Sequence, residues 1–162
     1  MMAMELAREL KVAGLPWKPR RGDLTMDRLN DLFVVLRDGS DAAGGVVIDT
    51  GAGQEHKHFL MLTWIPRLEQ ALAFLARYGP CALTSGAAGA PGAPGAPGAA
   101  AGRGRSSVVR WRLTLPQAGG DGAAPAPGRV FEATDPADAA GRALHYLLAE
   151  VGWQPGPALS GW

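Results

Sequence analysis

Leu6, Leu10 and Ala13, joined by Ala3 and Ala7, recur at intervals of three and four residues while Glu5, Arg8, Glu9 and Lys11 fall between them. That spacing puts the apolar groups on one side of a helix and the charges on the other. Gly14 accepts a left-handed backbone at little cost and Pro16 lacks the donor that a further turn needs, so the helix is expected to end there. The next stretch carries Pro16 and Pro19 with Lys18, Arg20 and Arg21. It reads as an extended connector that lets Trp17 fold back onto the core. Leu32 to Leu36 is a compact apolar, β-branched run ended by Asp38, Gly39 and Ser40, which predicts a buried strand and a turn. Val46 to Ile48 reads likewise after Gly44 and Gly45, and Phe59 to Trp64 as a third strand leading into the next helix.

That helix has Pro66 in its first turn, where a missing N–H costs nothing, and an apolar face of Ile65, Leu68, Leu72, Phe74 and Leu75. Arg77 suits its C-terminal end, and Gly79 and Pro80 stop it. Further on, Val109, Trp111, Leu113 and Leu115 alternate with Val108, Arg110, Arg112 and Thr114, the period of two that marks a half-buried strand. Val130 to Ala133 predicts a short strand. It runs into a helix start where Asp135 caps, Pro136 takes the first position and Asp138 adds charge that favours the dipole. Ala140, Ala143, Leu144, Leu147 and Val151 form the inward face of this last helix, and Gly152 closes it. The order α-β-β-(β)-α-β-β-α predicts an α+β fold, a small antiparallel sheet with about three helices packed on one face.

Composition divides the chain. Three consecutive Gly-Ala-Pro triplets run from Gly89 to Pro97, and such a segment has no side chain large enough to offset its ordering entropy. One α+β domain is therefore expected over residues 1–84 and 107–153, with 85–106 a disordered insertion, 117–128 a flexible loop and 154–162 a tail. Sixteen basic and fifteen acidic residues leave a formal charge of +1, so no global field draws in nucleic acid or an anionic membrane. The single cysteine, Cys81, excludes an internal disulfide framework, suits a reducing compartment and reads as a small buried apolar residue. Glu5, Arg8 and Glu9 interrupt the opening methionines before a signal-length apolar run forms. No stretch reaches the roughly eighteen apolar residues of a membrane span, and the expected location is the cytoplasm.

Candidate chemistry is sparse. Glu55, His56 and His58 form the nearest approach to a metal cluster, because two histidines one residue apart share a face if their segment is extended. Asp49 lies nearby and His145 is the remaining histidine. Solvated imidazoles flanking Lys57 in a polar loop account for the same residues. The serines lie in loops or at strand edges and none occupies a nucleophile elbow. Gly51 and Gly53 lack the Lys-Ser/Thr pair of a phosphate loop and read as a turn. Asp135 and Asp138 are a helix cap before they are an acid–base pair. Two basic clusters flank tryptophans: Lys18, Arg20 and Arg21 beside Trp17, and Arg103, Arg105, Arg110 and Arg112 around Trp111. Cations beside aromatic rings can follow a phosphate backbone and stack bases; equally, both tryptophans can face the core while the charges keep the outer face wet.

Three segments resemble a family of small bacterial and prophage proteins: Gly14, Leu15, Pro16 and Trp17 with Arg21, Gly22 and Asp23; Trp64 to Leu68; and Phe131 to Ala140 with Ala143, Leu144 and Leu148. The resemblance implies a shared fold and carries no assigned activity; this chain departs from it in the Gly/Ala/Pro insertion. The strand, loop, strand and capped helix after Val108 is also similar to the antitoxin half of HicA/HicB-type systems, which implies a toxin-neutralising unit. Together these readings point to a non-enzymatic accessory or protein-interaction module that needs no cofactor. Its expected partner is another protein. A single-stranded nucleic-acid-binding protein, with Trp17, Lys18, Arg20, Arg21, Arg110, Trp111 and Arg112 as the contact residues, or an antitoxin-like protein using those basic and aromatic clusters, is one alternative, and a metal bound by His56, His58 and Asp49 is another.

Overall fold

Helix α1 (Met4–Val12) buries Leu6, Ala7 and Leu10 on one side, as its spacing predicts, and Gly14 beyond its end has φ of 87°. The computed structural model describes residues 1–87, 109–116 and 128–155. After α1 the connector leads into a five-stranded antiparallel meander built from β1 (Leu24–Met26), β2 (Leu32–Val35), β3 (Gly45–Asp49), β4 (Gln54–His58) and β5 (Thr63–Ile65). The fifth strand returns to pair with the first, so the order across the sheet is β4-β3-β2-β1-β5. A single 3-10 turn, Phe59–Met61, separates β4 from β5. The expected strand over Phe59 to Trp64 is thus a 3-10 turn in its first half and a strand only from Thr63. His58 Nδ1 accepts from the Leu60 N–H at 3.2 Å, and the Lys11 ammonium donates to the carbonyls of Leu60 and Leu62 at 2.7 and 2.9 Å.

Helix α2 (Leu68–Tyr78) starts two residues later than Pro66, with the Arg67 N–H donating to Gln70 Oε1 at 2.9 Å. The chain then forms a second antiparallel sheet, ordered β6-β7-β8, from β6 (Ala82–Ala87), β7 (Val109–Leu115) and β8 (Arg129–Ala133). Helix α3 (Pro136–Ala149) opens as predicted, the Asp135 carboxylate accepting from the Ala137 N–H at 2.8 Å. Asp138, in its first turn, accepts from the Ala3 N–H at 2.6 Å and so ties the start of α1 to the start of α3.

The α+β class and antiparallel pairing stand, but two sheets replace the single expected one. Helix α1 packs on β5 of the first sheet, α3 packs on β7 and β8 of the second, and α3 also meets both other helices. One apolar cluster runs through this helical layer, from Leu6 and Leu10 through Ala140, Leu144 and Leu147 to Leu113 and Leu115. A smaller cluster joins Phe33, Val35, Val46 and Ile48 of the first sheet to Leu62, just before β5, with Trp17 against it. Cys81 is half-buried beside the main cluster, and burial pushes its thiol pKa up.

Strand β6 extends to Ala87, so residues 85–87 belong to the sheet and not to the expected insertion; the rest of that insertion and most of the 117–128 loop lie outside the described residues. Ala87 and Val109 are direct cross-strand partners, a separation that a short hairpin turn spans. Replacing residues 88–108 by a short Asn-Gly-type turn is expected to change the unfolding free energy by no more than about 1 to 2 kcal/mol, since loop-closure entropy varies only with the logarithm of length. Urea denaturation checks this, and a loss of more than about 3 kcal/mol would give those residues a structural role.

Candidate binding groove

The sequence places a tryptophan and three cations between two prolines, and the fold turns that connector into one wall of a groove. The opposite wall is the first half of α2. Pro16, Trp17, Lys18, Arg20 and Arg21 face Trp64, Arg67, Gln70 and Phe74 across a cavity of about 340 Å³. The indoles of Trp17 and Trp64 are stacked, with centroids 6.4 Å apart and planes within 8°. Phe74 meets Trp64 edge-on at 6.2 Å.

What holds the wall in place is Asp23. Its residue is only 4% exposed, yet both carboxylate oxygens are hydrogen-bonded. One oxygen accepts from Trp17 Nε1 at 2.9 Å and from the Arg20 N–H at 3.0 Å, and the other accepts from Gln70 Nε2 at 2.9 Å. A buried carboxylate is tolerated where donors replace its water, and these donors come from both walls. Arg67 adds a second tie by donating to the Gly22 carbonyl, and the Arg21 N–H donates to Asp38 at 2.7 Å. With three donors drawn from both walls, Asp23 acts as a brace between them. The Arg67 and Gln70 pairing belongs to the helix start, so neither residue stood out in the sequence as a groove residue.

Of the predicted nucleic-acid residues, Trp17, Lys18, Arg20 and Arg21 come together here. Arg110, Trp111 and Arg112 do not: they lie on β7 of the other sheet. Arg112 donates to Glu132 from Nε at 2.9 Å and from Nη2 at 2.6 Å, Arg110 stands 3.8 Å from the same carboxylate, and Trp111 packs on the main core. Arg103 and Arg105 lie outside the described residues.

The histidine segment is a strand, so His56 and His58 do share a face, and Glu55 takes the other. Asp49 pairs with Gln54 at the far end of that hairpin, its carboxylate accepting from the Gly51 N–H at 2.9 Å. It is Asp41 that stands near His56, at 3.9 Å. Asp41 is itself held below the ordinary carboxylate pKa, first by the Gly45 N–H. Among the described residues no three His, Cys, Asp or Glu side chains are placed to hold a metal ion.

The first sheet is latched across its strands by a pair that the sequence did not flag. Lys57 of β4 reaches over the Phe33 ring, 4.1 Å from its centroid, to Asp27 at 2.9 Å. Asp27 also accepts from the Leu29 and Asp31 N–H groups. The Lys57 hydrogen bond, reinforced by those two donors, holds the Asp27 pKa below its usual 3.8. A carboxylate whose pKa is lowered by folding stabilises the fold fully above its unfolded value and loses that contribution as pH falls through its folded value. Asp27→Asn is therefore expected to lower the melting temperature at pH 7 by about 3 to 6 °C. The gap from wild type should narrow once pH drops below 3.8. A gap that widens on acidification would contradict the assignment.

Compared with known proteins, the chain matches no family model, no curated protein and no solved structure.

Proposed function

We propose that the protein is a binding module without catalytic chemistry, and that the groove between the Pro16–Asp23 connector and α2 holds a segment of a partner protein. The carrying observation is a braced aromatic wall lined by more cations, Lys18, Arg20, Arg21 and Arg67, than carboxylates, Asp23 and Glu69. Tryptophan and arginine dominate the energetic centres of protein interfaces because they bury large rigid surfaces and form directed hydrogen bonds, and here they meet in one concave site. Lys18 and Arg21 are exposed, and no carboxylate pairs with either side chain among the described residues. Their charge favours an acidic partner and steers its approach.

Single-stranded nucleic acid is the competing occupant, favoured by the same Trp17 and its neighbouring cations. A phosphate chain needs cations along its path, however, and Arg110 and Arg112 are engaged by Glu132 elsewhere. The test is a comparison of the polypeptides retained from the native cell by wild type and by a Lys18→Glu, Arg21→Glu double variant. A polypeptide held by wild type, insensitive to nuclease and lost by the variant supports the reading. Identical retention by both, or retention abolished by nuclease, contradicts it.

A further inference from the structure

Trp17 and Trp64 border a second cavity as well as the first. This one, of about 320 Å³, lies between α1 and the 3-10 turn and includes Leu10, Leu15, Phe59 and Leu60 in its lining. Pro16 also lines both cavities, so the paired indoles and Pro16 act as a partition with a hollow on each side. The two hollows differ in chemistry. The first is lined by four cations, Lys18, Arg20, Arg21 and Arg67, against two carboxylates, the hydrogen-bonded Asp23 and the exposed Glu69, so its balance is cationic. The second has one cation, Lys11, whose ammonium is engaged by the Leu60 and Leu62 carbonyls. Beside it the 3-10 turn leaves three consecutive apolar side chains in solvent: Phe59, Leu60 at 62% exposure, and Met61. Trp64, part of the partition, is 9% exposed, and its buried Nε1 has no hydrogen-bond partner among the described residues.

Resting on the function proposed above, we infer that the occupant is an extended peptide segment laid across Pro16 and Trp17, with acidic side chains at Lys18 and Arg21 and apolar side chains against Phe59 and Leu60. Charge complementarity fixes the acidic half. The neighbouring hollow fixes the other half, because apolar side chains bury there at a gain and a charged group would lose its water for nothing. This polarity separates a peptide from a nucleic acid. A nucleic-acid strand carries a phosphate at every residue and would set anions against the apolar end, whereas a peptide changes chemistry along its length.

The test uses the full chain and a fluorescein-labelled peptide of three glutamates followed by Leu-Phe-Leu, read by anisotropy at low and high salt. Lys18→Glu with Arg21→Glu is expected to weaken binding by at least about tenfold at low salt, less so at high salt. Leu60→Asp is expected to weaken it by about tenfold at both salts. All altered side chains are exposed, and unchanged melting temperatures confirm that the variants fold. Loss with the charge variant but not with Leu60→Asp would overturn the two-hollow occupant while leaving the groove as a binding site. Tighter binding of an oligothymidylate that Lys18→Glu with Arg21→Glu abolishes would replace the peptide by nucleic acid. Absence of any peptide binding overturns the inference, and the function reading then stands or falls on the retention experiment alone.

Discussion

Leu144→Ala is expected to lower the unfolding free energy by about 3 to 4 kcal/mol, the range in which removing a fully buried leucine leaves a cavity the surroundings only partly fill. Leu144 has no exposed surface and sits in the core cluster that draws on all three helices and both sheets. Its helix packs on α1, α2, β7 and β8, so the neighbours that would collapse into the hole are each pinned by their own element. Urea denaturation of both proteins measures the loss, with an unchanged m value showing that the unfolding reaction is the same. Leu60→Ala, at an exposed site on the 3-10 turn, serves as the control and should stay within about 0.5 kcal/mol of wild type. A loss below about 1 kcal/mol at Leu144 would mean that the helices do not share one core.

Asp23→Ala is the second large effect, about 2 to 3 kcal/mol, and it acts through hydrogen bonding and not volume. The change strands three donors, Trp17 Nε1, the Arg20 N–H and Gln70 Nε2, and a partly buried donor without an acceptor costs the desolvation it had been compensated for. Asp23→Asn retains one acceptor oxygen, so it can serve one wall but not both and should fall between alanine and wild type. The signature specific to the brace is optical. Trp17 emission should shift to the red in Asp23→Ala as its indole leaves the stack on Trp64, an effect that a Trp17→Phe background removes. Lost stability with unchanged Trp17 emission would make Asp23 a packing residue with no hold on the groove.

How much of this was legible in the sequence depended on how far each signal reached along the chain. The last helix was readable to within a residue or two because its cap, Asp135, and its stop, Gly152, are local, and Gly152 does adopt the left-handed φ of 70°. Strand β7 was readable because Leu113 and Leu115 are buried while Arg110 and Arg112 are not. Strand β4 carries polar residues on both faces, as an edge strand tolerates, so nothing in its pattern alternated. Strand β1 is three residues long and β6 is built from small residues of weak strand preference. Those three missing strands are why one sheet was expected where two exist. At the groove, Trp17 and its cations announced themselves as neighbours, whereas Asp23 meets Gln70 across forty-seven residues, a contact no local pattern encodes. The histidines were read correctly as sharing a face if extended, but the acid that approaches them comes from the turn before β3 and not from the strand.

The most direct measurement follows the indole N–H resonances of the full chain by nuclear magnetic resonance while the glutamate-Leu-Phe-Leu peptide is added. Binding in the braced groove predicts that the Trp17 and Trp64 signals move together and saturate at one affinity, while those of Trp111 and Trp153 stay in place. Movement confined to Trp111, or Trp17 and Trp64 signals that do not respond to a peptide shown by anisotropy to be bound, would contradict the groove as the binding site.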